Sequence, residues 1–385
     1  MFQISDEKEI KDGKITDVYF ERSLEILENI NIDCKVRAEF VAKNLPEDWE
    51  WAIFAGLEEV LYLIKDLPVN VRAMKEGTIF HPDEVVLEIE GNYRDFCVYE
   101  TAILGMLCQA SGIATKAARF KKLAGDRQVM SFGARRMHPA ITPMIERNAY
   151  IGGCDGVSVI KSGSIIGRDP LGTMPHSLIL CIGSTVDAIK LFDEIIDPEV
   201  NRVALIDTFN DEKFECLNVA DTMGDKLYGV RFDTPSSRRG DFYSIIQEAR
   251  WELDLRGYGN VKIIVSGGIQ EEDLPLLNEV VDAYGIGTSI SNAPVVDFSM
   301  DIVEINGKPV AKRGKRSGAK NVFRCSECGD SVIVPVRKKL GYCDCGGSFQ
   351  ELLKDLVKDN IILTEIPEPK AIRKYVLDQM KLIDR

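Results

Sequence analysis

The sequence predicts a mixed α/β and α+β protein, with a parallel βα barrel preceded by an α+β domain and followed by a small cysteine-bearing module. Three observations carry this. Between about residues 128 and 290 short apolar runs recur, and each stops at a cluster of charged, polar or glycine residues. Helical signals alternate with those runs, and such alternation implies a parallel sheet. Outside the region the alternation is lost, and four cysteines gather within 325–345. The expected domains are 1–115, 116–290 and 291–385, with the cysteine module at about 320–350.

In the first domain, Thr16-Asp-Val-Tyr-Phe-Glu-Arg-Ser-Leu-Glu-Ile-Leu begins as a capped helix. Val36-Arg-Ala-Glu-Phe-Val-Ala alternates as a strand does. Glu76-Gly-Thr-Ile-Phe and Val85-Val-Leu-Glu-Ile-Glu-Gly-Asn-Tyr are further strand signals. The helix starting at Glu100 is strongly apolar and is expected to stop at Ser111-Gly112. In the barrel the runs are Val129-Met-Ser-Phe-Gly-Ala-Arg-Arg136, Val157-Ser-Val-Ile-Lys-Ser162, Val203-Ala-Leu-Ile-Asp-Thr208, Gly229-Val-Arg-Phe-Asp-Thr234, Ile263-Ile-Val-Ser-Gly-Gly268 and Tyr284-Gly-Ile-Gly-Thr288. Helices are expected at 185–196, 212–223, 240–253 and 270–280. Polar stops after every strand fit a barrel, whose chemistry gathers at the C-terminal strand ends, better than an open sheet with one switch-point crevice. Beyond 291, residues 303–312 read as a hairpin, 313–320 as a basic loop, and 362–385 as mixed helix.

Composition narrows the class. The chain has 385 residues, 28% charged and 45% hydrophobic, an ordinary globular balance. No run resembles a membrane span or a signal peptide, so a cytoplasmic protein is expected. The net charge of -13 disfavours non-specific nucleic-acid binding but leaves room for a local cationic pocket. Six scattered cysteines (Cys34, Cys97, Cys108, Cys154, Cys181, Cys216) read as small hydrophobes in a reducing compartment.

The other four cysteines form two knuckles, Cys325-Ser-Glu-Cys328 and Cys343-Asp-Cys345, separated by 14 residues. Two knuckles can supply the four thiolates of a tetrahedral structural zinc site, which leaves no open position for catalysis. Lys308, Lys312, Arg313, Lys315, Arg316, Lys320 and Arg324 precede or enter the module; a solvated loop is favoured over a binding patch.

The barrel rim divides by chemistry. Ser266-Gly-Gly268 and Gly287-Thr288 follow the last two runs, where loops often cradle phosphate with backbone N–H groups. Asp207 and Asp233 end neighbouring runs and suit ribose hydroxyls or a magnesium ion carrying pyrophosphate; helix N-capping is the structural alternative. Arg135, Arg136, His138 and Arg231 read as anion receptors, and Phe132 either stacks on a flat ring or fills the core. His176, in Gly172-Thr-Met-Pro-His176, suits catalysis or structural hydrogen bonding equally on pattern alone.

At these residues the chain resembles the nicotinate phosphoribosyltransferases, within the type II phosphoribosyltransferases. The shared pieces are Thr16-Asp-Val-Tyr19, Tyr99-Glu-Thr-Ala, Ser111-Gly-Ile-Ala-Thr115, Phe132-Gly-Ala-Arg-Arg136, Gly172-Thr-Met-Pro-His176, Leu205-Ile-Asp-Thr208, Arg231-Phe-Asp233, Ser266-Gly-Gly268 and Gly287-Thr288, in family order. The resemblance implies an irregular, incomplete α/β barrel that converts nicotinate and phosphoribosyl pyrophosphate to nicotinate mononucleotide and pyrophosphate, helped by ATP hydrolysis. It implies a homodimer or higher homo-oligomer with shared active sites. His176 would be transiently phosphorylated, and Phe132 and a neighbouring subunit's Tyr19 would sandwich the pyridine. Arg135 and Arg231 would bind around the pyridine and phosphoribosyl group. Asp207 and Asp233 would contact ribose, magnesium and pyrophosphate; Gly267, Gly268, Gly287 and Thr288 would hold the 5′-phosphate. Arg136, His138, Ser158 and Arg168 complete the substrate-binding candidates. Related nicotinamide enzymes carry an acid near the position of Ser158, so Ser158 tilts the choice toward nicotinate.

Rival readings are a quinolinate or nicotinamide phosphoribosyltransferase, a zinc-ribbon nucleic-acid-binding regulator, and a phosphate-binding barrel isomerase or aldolase that uses Lys161.

Overall fold

A computed structural model describes residues 2–383, without the side chain of Arg239. The chain divides into two compact units, Met1–Thr115 with Pro294–Arg385, and Lys116–Ala293.

The first unit is built on a seven-stranded sheet of antiparallel neighbours. Its order is Lys308–Pro309, Phe298–Ile305, Lys35–Ala42, Val85–Asn92, Asn70–Ala73, Lys354–Lys358 and Ile361–Ile362. The C-terminal stretch therefore adds strands at both edges of the N-terminal sheet, and Phe298–Ile305 with Lys308–Pro309 closes the expected hairpin. Phe40, Phe54, Phe80 and Leu87 are fully buried in its core, each worth about 1.5–3 kcal/mol relative to exposure. Of the expected strand at 76–80 only Ile79–Phe80 is extended, because Thr78 Oγ1 donates to Lys75 O and makes the preceding residues a turn.

The helix expected to stop at Ser111-Gly112 instead runs from Glu100 to Ala124. Both apparent breakers serve tertiary contacts. Ser111 Oγ and Thr115 Oγ1 accept from the backbone N–H groups of Ala55 (3.1 Å) and Ile53 (2.8 Å). A Cβ on Gly112 would lie 2.2 Å from the carbonyl oxygen of Pro294. This helix, with the short turns at 93–99 before it, is long and apolar enough to cross a membrane. It is a core helix here: Ile103, Leu107, Ala110, Ile113, Ala114, Ala117 and Phe120 are all buried.

Buried carboxylates organise the basic segment. Lys312 and Lys315 each lie 2.7 Å from an oxygen of Asp301. Lys320 pairs with Glu39 at 2.7 Å, and Arg324 with Glu84 at 3.0 Å. These charges hold the segment to the sheet, which is why a loop so basic in sequence presents less free charge than its composition suggests.

In the second unit we label six parallel strands: β1 (Gln128–Ser131), β2 (Gly156–Val157), β3 (Val203–Leu205), β4 (Gly229–Phe232), β5 (Lys262–Ser266) and β6 (Ala283–Ile286). Their order is β2-β1-β6-β5-β4-β3. Chain neighbours are ladder neighbours except for β2 and β3, which stand at the two ends. Met130, Val203, Ile264 and Ala283, from β1, β3, β5 and β6, nonetheless share one buried cluster on the inner face of the sheet. This is a barrel with one gap. Three helices, Ile160–Ile166, His176–Ile182 and Thr185–Ile195, occupy the connection between β2 and β3. The expected helix at 270–280 is two short pieces, Glu271–Asp273 and Leu274–Leu277, with Pro275 at the start of the second.

One prediction concerns the basic segment. Burial alone would raise the carboxyl pKa of Asp301, but Lys312, Lys315 and Ser299 outweigh it and hold it below the usual aspartate value. The stabilisation is therefore present above the unfolded pKa and lost as pH falls through the folded one. Asp301→Asn should lower stability at pH 7 by about 1–3 kcal/mol and flatten the acid limb, measured by urea denaturation from pH 7 to pH 3.

Candidate active site

Every strand of the barrel ends in a residue singled out in the sequence. Phe132 follows β1, Ser158 follows β2, Asp207 lies just beyond β3, Asp233 follows β4, Gly267 and Gly268 follow β5, and Gly287 and Thr288 follow β6. The ladder register places Met130 beside both Gly156 and Gly285, Leu205 beside Arg231, and Ile264 beside both Arg231 and Ala283. Side chains alternate along a strand. Phe132, Asp207, Arg231, Asp233 and Ser266 therefore share the parity of the interior cluster.

Arg231 is the centre of this arrangement. Its Nε donates to Ser266 Oγ at 2.9 Å and its Nη1 to Thr173 Oγ1 at 2.8 Å. Its Nη2 lies 3.2 Å from Asp233 Oδ2. The Ser266 hydroxyl in turn donates to Asp233 Oδ1 at 2.5 Å. The guanidinium carbon lies 5.5 Å from the centroid of the Phe132 ring, within cation–π range. That ring covers Gly285, where a Cβ would meet it at 2.4 Å. Glycine at 285 is thus what lets an aromatic ring lie over the strand.

The second cluster joins His176 to Asp207. His176 Nε2 lies 3.1 Å from Asp207 Oδ1, with the carboxylate side chain 3% exposed and the imidazole 39% exposed. Burial raises the Asp207 pKa, His176 opposes the rise, and the charge of Asp233 adds to it. Arg231 already answers the charge of Asp233, so among these groups His176 is what answers the charge of Asp207. N-capping does not account for the two aspartates: the helices Glu212–Met223 and Phe242–Leu255 are capped by Asp211 and Asp241.

The glycine turns are tied together. Gly267 and Gly268 both have positive φ, at 87° and 77°, and a Cβ on Gly267 would sit 2.9 Å from Asp233 O. Ser289 Oγ reaches Ile269 O and Gln270 Oε1, both at 3.1 Å, so the turn after β6 is fastened to the turn after β5.

The remaining candidates divide. Arg135 and Arg136 lie exposed on a 3-10 turn after Phe132, with exposed His138 just beyond. Arg168 is exposed, with Nη1 3.5 Å from Asp155 O. Ser158 donates its hydroxyl to Glu146 Oε1 at 2.6 Å and its N–H to the same oxygen at 2.9 Å; Val159 N donates to Oε2 at 3.0 Å. Glu146, fully buried, was not visible in the sequence as part of the rim. Nor was Thr173, although it lies inside a quoted motif. Tyr19 belongs to the first unit; its ring is 57% exposed and its phenol donates to Asp17 Oδ2 at 3.3 Å. Asp17 is held in turn by Thr101 Oγ1 at 2.9 Å.

The four module cysteines bring their sulfurs within 4.8 Å of one another. Cys325 and Cys345 are 3.4 Å apart, and Cys328 and Cys343 3.7 Å. Four thiolates around a tetrahedral zinc at about 2.3 Å stand roughly 3.8 Å apart, so the cluster can hold a metal ion. Backbone N–H groups of Cys328 and Glu327 pull the Cys325 thiol pKa down, toward the ligating form.

A family model for the N-terminal domain of quinolinate phosphoribosyl transferase matches residues 17–111, and one for its C-terminal domain matches residues 113–301. The chain belongs to the type II phosphoribosyltransferase family. The crystal structure of nicotinate-nucleotide pyrophosphorylase from Pyrococcus furiosus is 54% identical, covers 100% of this chain and 99% of that one, and superposes with a TM-score of 0.98. Human nicotinic acid phosphoribosyltransferase shares the fold, with a TM-score of 0.72 at 18% identity over 94% of each chain. The nicotinate phosphoribosyltransferase of Bacillus subtilis is 27% identical, covering 78% of this phosphoribosyltransferase and 67% of its own length. One from Mycobacterium tuberculosis is 29% identical, covering 71% and 68%. The cysteine knuckles lie beyond the residues that the two domain models match.

The Phe132–Gly285 contact is open to test. Gly285→Val should displace the ring and lower kcat/KM on the order of tenfold, the scale of overpacking at about 1–3 kcal/mol, while the far-ultraviolet circular dichroism stays unchanged.

Proposed function

We propose that this enzyme transfers the phosphoribosyl group of phosphoribosyl pyrophosphate to nicotinate, releasing pyrophosphate, with ATP coupled through His176. The observation that carries the reading is the His176–Asp207 pair beside the Arg231 cluster on the barrel rim, in a chain whose curated relatives bear the name nicotinate phosphoribosyltransferase.

The chemistry follows from the rim. Loss of pyrophosphate from ribose C1 builds positive charge on the sugar, and fixed carboxylates in a dry site stabilise it. Asp233, oriented by Arg231 and Ser266, and Asp207 supply that field and would hold magnesium. The nearly unexposed Asp207 carboxylate, met by His176 on one oxygen, is the feature that fits a cation. Magnesium held by these carboxylates would supply positive charge for the departing pyrophosphate. The turns at Gly267 and Gly268 and at Gly287 and Thr288 receive the 5′-phosphate, and Phe132 stacks on the pyridine opposite Tyr19 of a second copy in a homo-oligomer. Arg135 and Arg231 meet the anionic groups of base and phosphoribosyl, with Arg136, His138, Ser158 and Arg168 around them.

His176 donates from Nε2 to the buried Asp207 carboxylate, which leaves the Nδ1 lone pair as nucleophile. Nδ1 bonds to the γ-phosphorus of ATP as the bond to the bridging oxygen breaks and ADP departs. Water later cleaves the N–P bond and restores the imidazole. The four cysteines bind one structural zinc.

Turnover with nicotinate, nicotinamide and quinolinate, each with phosphoribosyl pyrophosphate and magnesium, tests the assignment. Nicotinate should be the preferred base, and activity with quinolinate alone would replace it with the activity that the family models name. His176→Ala should abolish ATP stimulation while slow ATP-independent turnover remains, and unchanged stimulation would remove the phosphohistidine. The metal reading predicts about one zinc per chain by elemental analysis and a chelator-induced fall in thermal stability of the wild type. Cys325→Ser should lose both the zinc and the chelator effect.

A further inference from the structure

The gap between β2 and β3 is spanned by the segment 167–175, which leads into His176. Leu171 N donates to Val157 O at 2.7 Å, and its side chain fills the space over Gly156, where a Cβ would meet Leu171 Cδ1 at 2.2 Å. Two residues on, Thr173 Oγ1 accepts from Arg231 of β4. Met174 is buried at 1% exposure, and His176 meets Asp207 beyond β3. Within six residues the strap therefore touches β2, β4 and the end of β3.

We propose that Thr173 is a positioning residue that couples the state of His176 to Arg231 through this strap. The inference rests on the ATP-dependent reading of His176 given above. Each nitrogen of Arg231 has one partner in the protein, Ser266, Thr173 or Asp233, which fixes the plane and direction of the guanidinium. Ser266 ends β5 and Asp233 directly follows β4; Thr173 alone belongs to the strap. A phosphoryl group on His176 adds about −1.5 to −2 charges beside the buried Asp207 carboxylate, with Asp233 already raising the local negative field. Repulsion drives the imidazole away from Asp207. Only Met174 and Pro175 separate Thr173 from His176; one is buried and the other has a fixed φ. The movement is passed to Thr173 and takes its hydroxyl from Nη1, which frees the guanidinium to turn Nη1 toward a substrate anion. Thr173 thus holds Arg231 in the state without phosphate and releases it in the other.

The test is the substrate KM with and without ATP. Thr173→Val removes the acceptor but keeps the shape. Its KM for phosphoribosyl pyrophosphate or nicotinate without ATP should fall on the order of tenfold toward the ATP-stimulated value, the size of one hydrogen bond to a charged group, and ATP should add little more. Acid-labile phosphate on His176 should still form from labelled ATP, which separates lost coupling from lost folding or lost phosphorylation. Thr173→Ser should restore the wild-type ATP response; Thr173→Ala serves where the valine variant does not fold. A Thr173→Val enzyme with a full ATP response, or with KM raised equally in both conditions, overturns the coupling. A wild type with neither ATP response nor labelled His176 overturns the phosphohistidine reading itself.

Discussion

The arrangement of the barrel mouth depends on one half-buried guanidinium. An arginine inside a barrel is tolerated only when its charge is balanced and its donors are used. Arg231 meets that condition with residues from three strands and one connection: Asp233 from the end of its own strand, Ser266 from β5, Phe132 after β1, and Thr173 from the segment spanning the gap. Each partner is constrained in turn. Ser266 must present its hydroxyl to both Arg231 and Asp233, and Gly285 must lack a side chain for Phe132 to lie flat. The positions of Phe132, Thr173, Asp233 and Ser266 are thus tied to housing this one cation.

The first unit uses the same device with the signs reversed. Glu39, Glu84, Glu88 and Asp301 are buried acids, and arginines and lysines reach in to them. Arg72 grips Glu88 in a two-pronged contact at 3.0 and 2.9 Å while also donating to Asn321 and Lys320 O. The strand that carries Cys325 is therefore fastened to the main sheet by charge before any metal binds.

The barrel was legible because its strands are short apolar runs with polar stops, a pattern local enough to read one strand at a time. The same local reading failed at Ser111-Gly112, where residues that resemble a helix stop are there for contacts made to Ala55 and Pro294. The site was legible as a set of residue types: two aspartates, two glycine turns, one histidine in a stiff motif. The pairs they form were not. Thr173 and Arg231 are 58 positions apart, and His176 and Asp207 are 31 apart. Glu146 sits on a helix behind the rim and carries no motif. A gap in a ladder leaves no mark in composition or periodicity, so its position emerged only from the strand order.

That gap has an energetic consequence. The six strands are bound edge to edge, and separating them breaks the ladder cooperatively. Strand β2 is two residues long, and the helices flanking the strap, Ile160–Ile166 and His176–Ile182, have seven residues each, too short to stand without packing. Segments with few ladder bonds open at a small fraction of the global unfolding free energy. The histidine-bearing stretch is therefore held to the barrel by its side-chain anchors, Leu171, Thr173, Met174 and His176, and not by the ladder.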